Sequence, residues 1–148
     1  MNDTPNILLS EIRDALHRIG RRRTYAAGTV LFVAGELPKG IYLIENGGAI
    51  TVRLSPSAHR DVRMADGRTE ILLGLSETIS GQAHKFTAQA TESCDVVCVE
   101  REAFVEFLRE NQVFCLKIVR FLSENLHQLY YALQQQSSGS LRGRRANS

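Results

Sequence analysis

The sequence predicts a mainly β domain with flanking helices, a double-stranded β-helix (jelly-roll) barrel, followed by one long C-terminal helix. Three observations carry this expectation. Between Arg23 and Val99, short runs of β-branched and aromatic residues are separated by glycine turns, with no helical period between them. After Val99 the apolar period becomes helical. The chain has 148 residues, 43% hydrophobic and 23% charged, which suits a single globular domain with a real core.

Taken in order, Thr4-Pro5 starts a helix, with threonine as cap and proline in the first turn, where a missing N–H does no harm. Leu8, Ile12, Ala15, Leu16 and Ile19 form one apolar face, and Gly20 closes it. Strands are then expected at Thr29–Val33, Ile41–Ile44, Ala49–Leu54, Val62–Met64, Glu70–Leu73, Phe86–Ala90 and Val96–Val99. Gly47-Gly48 supplies a positive-φ turn, and Asp66-Gly67 is a hairpin signal. Phe104, Phe107 and Leu108 mark a short amphipathic helix ending near Asn111.

The clearest pattern follows. Cys115, Val119, Leu122, Leu126, Leu129 and Leu133 step by 4, 3, 4, 3 and 4, a heptad seam suited to pairing two copies. A second stripe of Phe114, Ile118 and Phe121 flanks only its first half, so the helix should touch its own domain first and a partner second. Beyond Gln136 the composition turns to Ser, Gly, Arg and Asn, which have little to bury. The expected division is a jelly-roll domain with its entry helix over 5–110, a dimerisation helix over 112–136 and a disordered tail over 137–148.

Several function classes lose support on composition and motif. Three of the 18 basic residues, Arg142, Arg144 and Arg145, lie at the C-terminal end, and the remaining 15 face 16 acidic residues. No large basic face is implied. There is no apolar run long enough for a membrane span and no secretory leader, so a cytoplasmic location is expected. Cys94, Cys98 and Cys115 lack disulfide-scaffold or four-cysteine cluster spacing and read as reduced structural thiols, although Cys115 could bond its twin across a dimer on oxidation. His17, His59, His84 and His127 form no HxH pair with an acidic ligand, which argues against a metal-binding cupin-type enzyme. No P-loop, Gly-x-Ser-x-Gly or Gly-x-Gly-x-x-Gly occurs, and no enzyme is expected. The runs Arg21-Arg22-Arg23 and Arg142–Arg145 read as solvated charge, with an acidic partner or nucleic acid as the sharper alternative.

The order of these elements resembles the sensor half of the Crp/Fnr regulators, which carry a cyclic nucleotide-binding domain. The phrase from Tyr25 to Glu36 is similar to that family's opening strands, Gly40–Gly47 to its next strand and turn, and Val96–Phe107 to its closing strand and following helix. The resemblance covers roughly residues 20 to 133. It implies a phosphate-binding cassette over Gly74–Thr87, in which a glutamate holds a ribose hydroxyl and an arginine pairs with the cyclic phosphate. Gly74 fits the cassette's opening. Leu75 stands where the glutamate is expected, unless a shifted alignment gives Glu77 that role. His84-Lys85 falls at the arginine position, with Phe86 and Thr87 following. Loss of two charge-assisted contacts at about 2–3 kcal/mol each weakens binding by roughly a thousandfold or more, so tight binding of cyclic AMP or cyclic GMP is disfavoured.

Lys85 could still hold a small anion as a point charge, and Ser76, Ser80 and Gly81 could line an anion loop; each also reads as an ordinary solvated or turn residue. No resident cofactor or metal is expected, only an unidentified small anionic ligand. The resemblance also places ligand-sensing residues on the long helix, here Glu124, Asn125 and Gln128, with Tyr130-Tyr131 at the interface or reaching toward the pocket. Fifteen residues follow Leu133, too few for a helix-turn-helix domain, so direct DNA binding by this chain is not expected. The leading expectation is a dimeric regulatory sensor acting in signal transduction or transcription regulation. The alternatives are a vestigial pocket serving oligomerisation or protein interaction, and a sensor fragment of a DNA-binding regulator.

Overall fold

A computed structural model of the chain describes residues 3–46, 50–53, 62–63 and 70–147. The Gly47-Gly48 and Asp66-Gly67 turns and His59 lie outside the described residues. The chain divides into two compact units, Arg13–Glu110 and a second made of Met1–Ile12 with Asn111–Ser148.

Among the described residues, the larger unit has eight strands in two antiparallel four-stranded sheets. The strands are β1 (Arg21–Tyr25), β2 (Val30–Phe32), β3 (Gly40–Asn46), β4 (Ile50–Arg53), β5 (Val62–Arg63), β6 (Ile71–Leu73), β7 (Thr87–Ala90) and β8 (Cys94–Glu100). One sheet has the order β1-β8-β3-β6 and the other β2-β7-β4-β5. Strands far apart in sequence become neighbours, as expected of a jelly roll. Seven of the strands fall within or overlap the expected runs. The eighth, β1, is a correction: Arg21, Arg22 and Arg23 form an edge strand, pairing in register with Cys98, Val97 and Val96. Charge on such an edge is compatible with strand structure because only its inner side needs a neighbour.

Alternation along β3 and β8 explains how one sheet serves two cores. Ile44, Cys94 and Val96 join Phe32, Leu73, Ala88 and Ala90 in the interior cluster, with Tyr42, Phe86 and Cys98 packed against it. Ile41, Leu43, Val97 and Val99 point to the opposite face, yet they too are buried. The turn out of α1 (Asp3–Ile19) approaches that face so closely that a Cβ at Gly20 would lie 2.8 Å from both Val97 and Val99. Helix α3 (Arg101–Glu110) packs on β3 and β8, and its Phe104 is fully buried. Thr4 is not the cap: α1 begins at Asp3, and Pro5 lies within the first turn, where no intrahelical donor is lost.

The smaller unit pairs the start of α1 with α4 (Gln112–Asn147). Lys117 Nζ lies 3.0 Å from Glu11 Oε2, and Ile12, Phe114 and Ile118 are buried. The helix runs past Gln136 to Asn147, where the composition predicted a disordered tail. Its last third contains no proline, and Leu141, Arg142, Arg144, Arg145 and Ala146 are good helix formers that offset the glycines.

Candidate functional site

The cassette segment is built from the glycine outward. Gly74 has φ +84°, and a Cβ there would lie 2.7 Å from the Gly40 carbonyl oxygen, so both conformation and space require glycine. Gly74 caps a short helix, α2 (Leu75–Ser80), where the sequence reading expected only a loop. Leu75 and Thr78 face inward and are buried, which is the amphipathic spacing that selects a helical turn over an open loop. Gly81 ends α2 in the left-handed conformation, its N–H donating to the Glu77 carbonyl at 2.7 Å.

The chain then re-enters the sandwich at His84. Its backbone N–H donates to the Glu36 carbonyl at 2.9 Å, and its carbonyl accepts from Gly35 N–H at 2.7 Å. Thr87 Oγ1 accepts from the Ala34 N–H at 3.0 Å. These bonds tie the cassette to the turn after β2. The imidazole itself is buried and stacked on Phe32, with ring centroids 3.8 Å apart at 14°. Phe86 lies 5.4 Å from Phe32 on a tilted ring, and Tyr42 lies 5.7 Å from the same phenyl. Aromatic rings thus fill the sandwich interior beside the cassette.

The expected site residues therefore separate. Gly74, Leu75, Gly81, His84, Phe86 and Thr87 build the cassette and its attachment to the sandwich. Ser76, Ser80 and Lys85 are exposed, and Glu77 is half-buried. Ser80 Oγ accepts from the Gln82 N–H at 3.2 Å, an ordinary turn role. Two residues were not anticipated. Thr78 is fully buried, its Oγ1 has no hydrogen-bond partner among the described residues, and its carbonyl accepts from Arg101 Nε at 2.9 Å. Arg101 opens α3, and its N–H donates to the Lys39 carbonyl at 2.9 Å. No local pattern announces this contact, which exists only because α2 and α3 meet in the fold.

Burial lowers the pKa of His84 below its ordinary value of 6.5, against the opposing pull of Glu77 and Glu36. The fold therefore favours neutral imidazole. Stability from this source is intact above about pH 6.5, where the unfolded chain is also neutral. It is lost as pH falls through the interval between the unfolded and folded values, with a slope of at most about 1.4 kcal/mol per pH unit. Below the folded value the loss is complete and the curve is flat. Urea unfolding across this range should show that decline, and His84→Phe, which keeps a ring on Phe32 but binds no proton, should reduce it. An unchanged pH slope in the variant would refute the assignment.

Of the seam residues, Cys115 and Leu122 are half-buried, whereas Val119, Leu126 and Leu133 are exposed. Leu129 belongs to the same helix. Tyr130 and Tyr131 are also exposed. Cys94, Cys98 and Cys115 are free thiols, and Cys94 and Cys98 share the inner face of β8, as their spacing implied. Cys98 Sγ lies 3.3 Å from the Tyr25 hydroxyl. No helix among the described residues is long and apolar enough to cross a membrane.

The sequence model for the cyclic nucleotide-binding domain matches residues 22–111. Solved structures agree on the fold. The catabolite activator protein of Thermus thermophilus aligns with a TM-score of 0.68 at 21% identity, over 86% of this chain and 59% of that one. The N-terminal domain of a transcriptional regulator from Streptomyces coelicolor A3(2) aligns at 0.63 and 19%, over 80% and 84%. The global regulator CLP of Xanthomonas campestris, described as responsive to c-di-GMP, aligns at 0.64 and 14%, over 88% and 63%. The chain thus spans less than two thirds of the length of the Thermus and Xanthomonas regulators. No curated protein matches it by sequence.

Proposed function

Since the chain belongs to the cyclic nucleotide-binding domain family, we propose that it is a non-enzymatic regulatory module, a Crp/Fnr-like sensor whose cassette has been rebuilt. The observation that carries this reading is the state of the two expected ligand positions. Leu75 is buried at the start of α2, and His84 is buried against Phe32. Neither offers the carboxylate or guanidinium that a ribose and a cyclic phosphate require. The effector is then a small molecule other than a cyclic mononucleotide, acting by preferring one arrangement of the module over another. An anionic effector would have Lys85 as its cation.

The exposed seam on α4 supports a second element of the proposal, a homodimer formed through that helix. A vestigial cassette on an interaction module is the competing reading, favoured by the aromatic rings that occupy the interior beside His84.

Isothermal titration tests the central claim. Cyclic AMP and cyclic GMP should bind about a thousandfold or more weaker than a cassette holding both charged groups would allow. Saturable micromolar uptake of either nucleotide would overturn the proposal. A thermal-shift screen of anionic metabolites separates the two readings. A stabilising ligand whose effect disappears in Lys85→Ala favours sensing, and no shift with any ligand favours the interaction module.

A further inference from the structure

Strand β1 carries a feature that the cassette reading does not use. Among the described residues it is an edge strand, hydrogen-bonded to β8 alone, and Arg21, Arg22, Arg23 and Thr24 are all exposed. An edge strand presents every second N–H and C=O outward, unpaired. Among the described residues no other backbone segment bonds to residues 21–24.

The edge is flanked by two cavities. One, of about 570 Å³, is lined by Arg13, Arg22 and Arg23 together with Glu45, Glu70 and Asp95. The other, of about 250 Å³, is lined by Arg21, Arg23, Cys98 and Glu100. Arg23 belongs to both.

The charges around this edge are unevenly neutralised. Arg13 Nη1 is held by Glu70 Oε1 at 3.0 Å, and Arg22 Nη2 lies 3.7 Å from Glu45 Oε1. Arg21 and Arg23 make no ion pair among the described residues. These two guanidinium groups sit two residues apart on one strand, so their backbone origins are separated by about 7 Å. A second strand with carboxylates at alternate positions has the same period.

We propose that β1 is a docking edge for an extended acidic segment of a partner protein, which adds to the sheet as a fifth strand. Main-chain bonds would supply the register, and alternate carboxylates would pair with Arg21 and Arg23. A second copy of β1 is a poor occupant, because three arginines would face three arginines. Nucleic acid is disfavoured because a phosphate chain has no amide N–H groups to pair with the outward carbonyls of an edge strand, and Glu45 and Glu70 in the same cavity are already engaged by Arg22 and Arg13.

The test uses the full chain and a fluorescein-labelled peptide of about eight residues in which glutamate and threonine alternate. Anisotropy at low salt should show saturable binding, and amide shifts in nuclear magnetic resonance spectra should concentrate on Arg21–Tyr25. Arg21→Gln and Arg23→Gln are surface changes that leave the fold intact. Each should weaken binding by roughly threefold, and together by roughly tenfold. Methylating alternate peptide nitrogens should abolish binding, since it removes strand addition and keeps the charge. The proposal is overturned if the methylated peptide, or one with its glutamates in a single block, binds equally well. It is also overturned if the double variant binds unchanged, or if a single-stranded oligonucleotide of equal charge binds tighter.

Discussion

Replacing Phe104 with alanine is expected to lower the unfolding free energy by about 3–5 kcal/mol. The phenyl is 0% exposed and belongs to α3, which covers the face of the sheet that presents Ile41, Leu43, Val97 and Val99. Truncation removes the transfer energy of a buried ring and leaves a cavity, because the strands beneath cannot collapse into it without losing their register. A domain of this size is typically stable by about 5–15 kcal/mol, so the variant would lie close to the unfolding threshold. Urea unfolding followed by circular dichroism measures the change. A loss below about 1 kcal/mol would mean that α3 is not docked on the sheet.

The second large effect concerns assembly. Leu126→Glu combined with Leu129→Glu should convert a dimer into a folded monomer in sedimentation experiments. Val119, Leu126 and Leu133 are 51%, 50% and 50% exposed in the single chain, so the stripe is open to the partner helix that the proposed homodimer would bring. Two glutamates on that stripe would place four like charges in the paired interface, and burying them unpaired costs far more than the lost leucine contacts contribute. A double variant that stays dimeric would move the interface elsewhere.

Much of the architecture was legible in the residues because the signals were periodic or steric. Glycine punctuation and short β-prone runs located seven strands, since a turn needing positive φ leaves few alternatives to glycine. The helical stripe of Leu16 and Ile12 located α1, and the heptad located α4. Strand β1 was hidden because three consecutive arginines carry no alternation, and its identity comes from pairing with Cys98, Val97 and Val96, some seventy positions away. Helix α2 was hidden for another reason. Six residues are too few to show a period, and its fate depends on Leu75 and Thr78 finding a buried surface.

The candidate site was legible as a list of substitutions but not as geometry. That Leu75 and His84 lack the expected chemistry can be read from their identities. That His84 lies flat on Phe32, and that Ser76, Ser80 and Lys85 are left in solvent, depends on the path of the chain after Gly81. The contact between Arg101 and Thr78 is of the same kind, since its partners lie 23 positions apart with no shared motif.

That contact has a mechanical consequence. Arg101 grips the α2 backbone through its side chain and the residue before β3 through its own N–H, so one amino acid rivets three parts of the fold. Unwinding α2 therefore also breaks the bond from the Arg101 guanidinium to the Thr78 carbonyl, a charge-assisted contact of about 1.5–3 kcal/mol. An occupant that remodels α2 would thereby release one of the two bonds through which Arg101 fixes the head of α3.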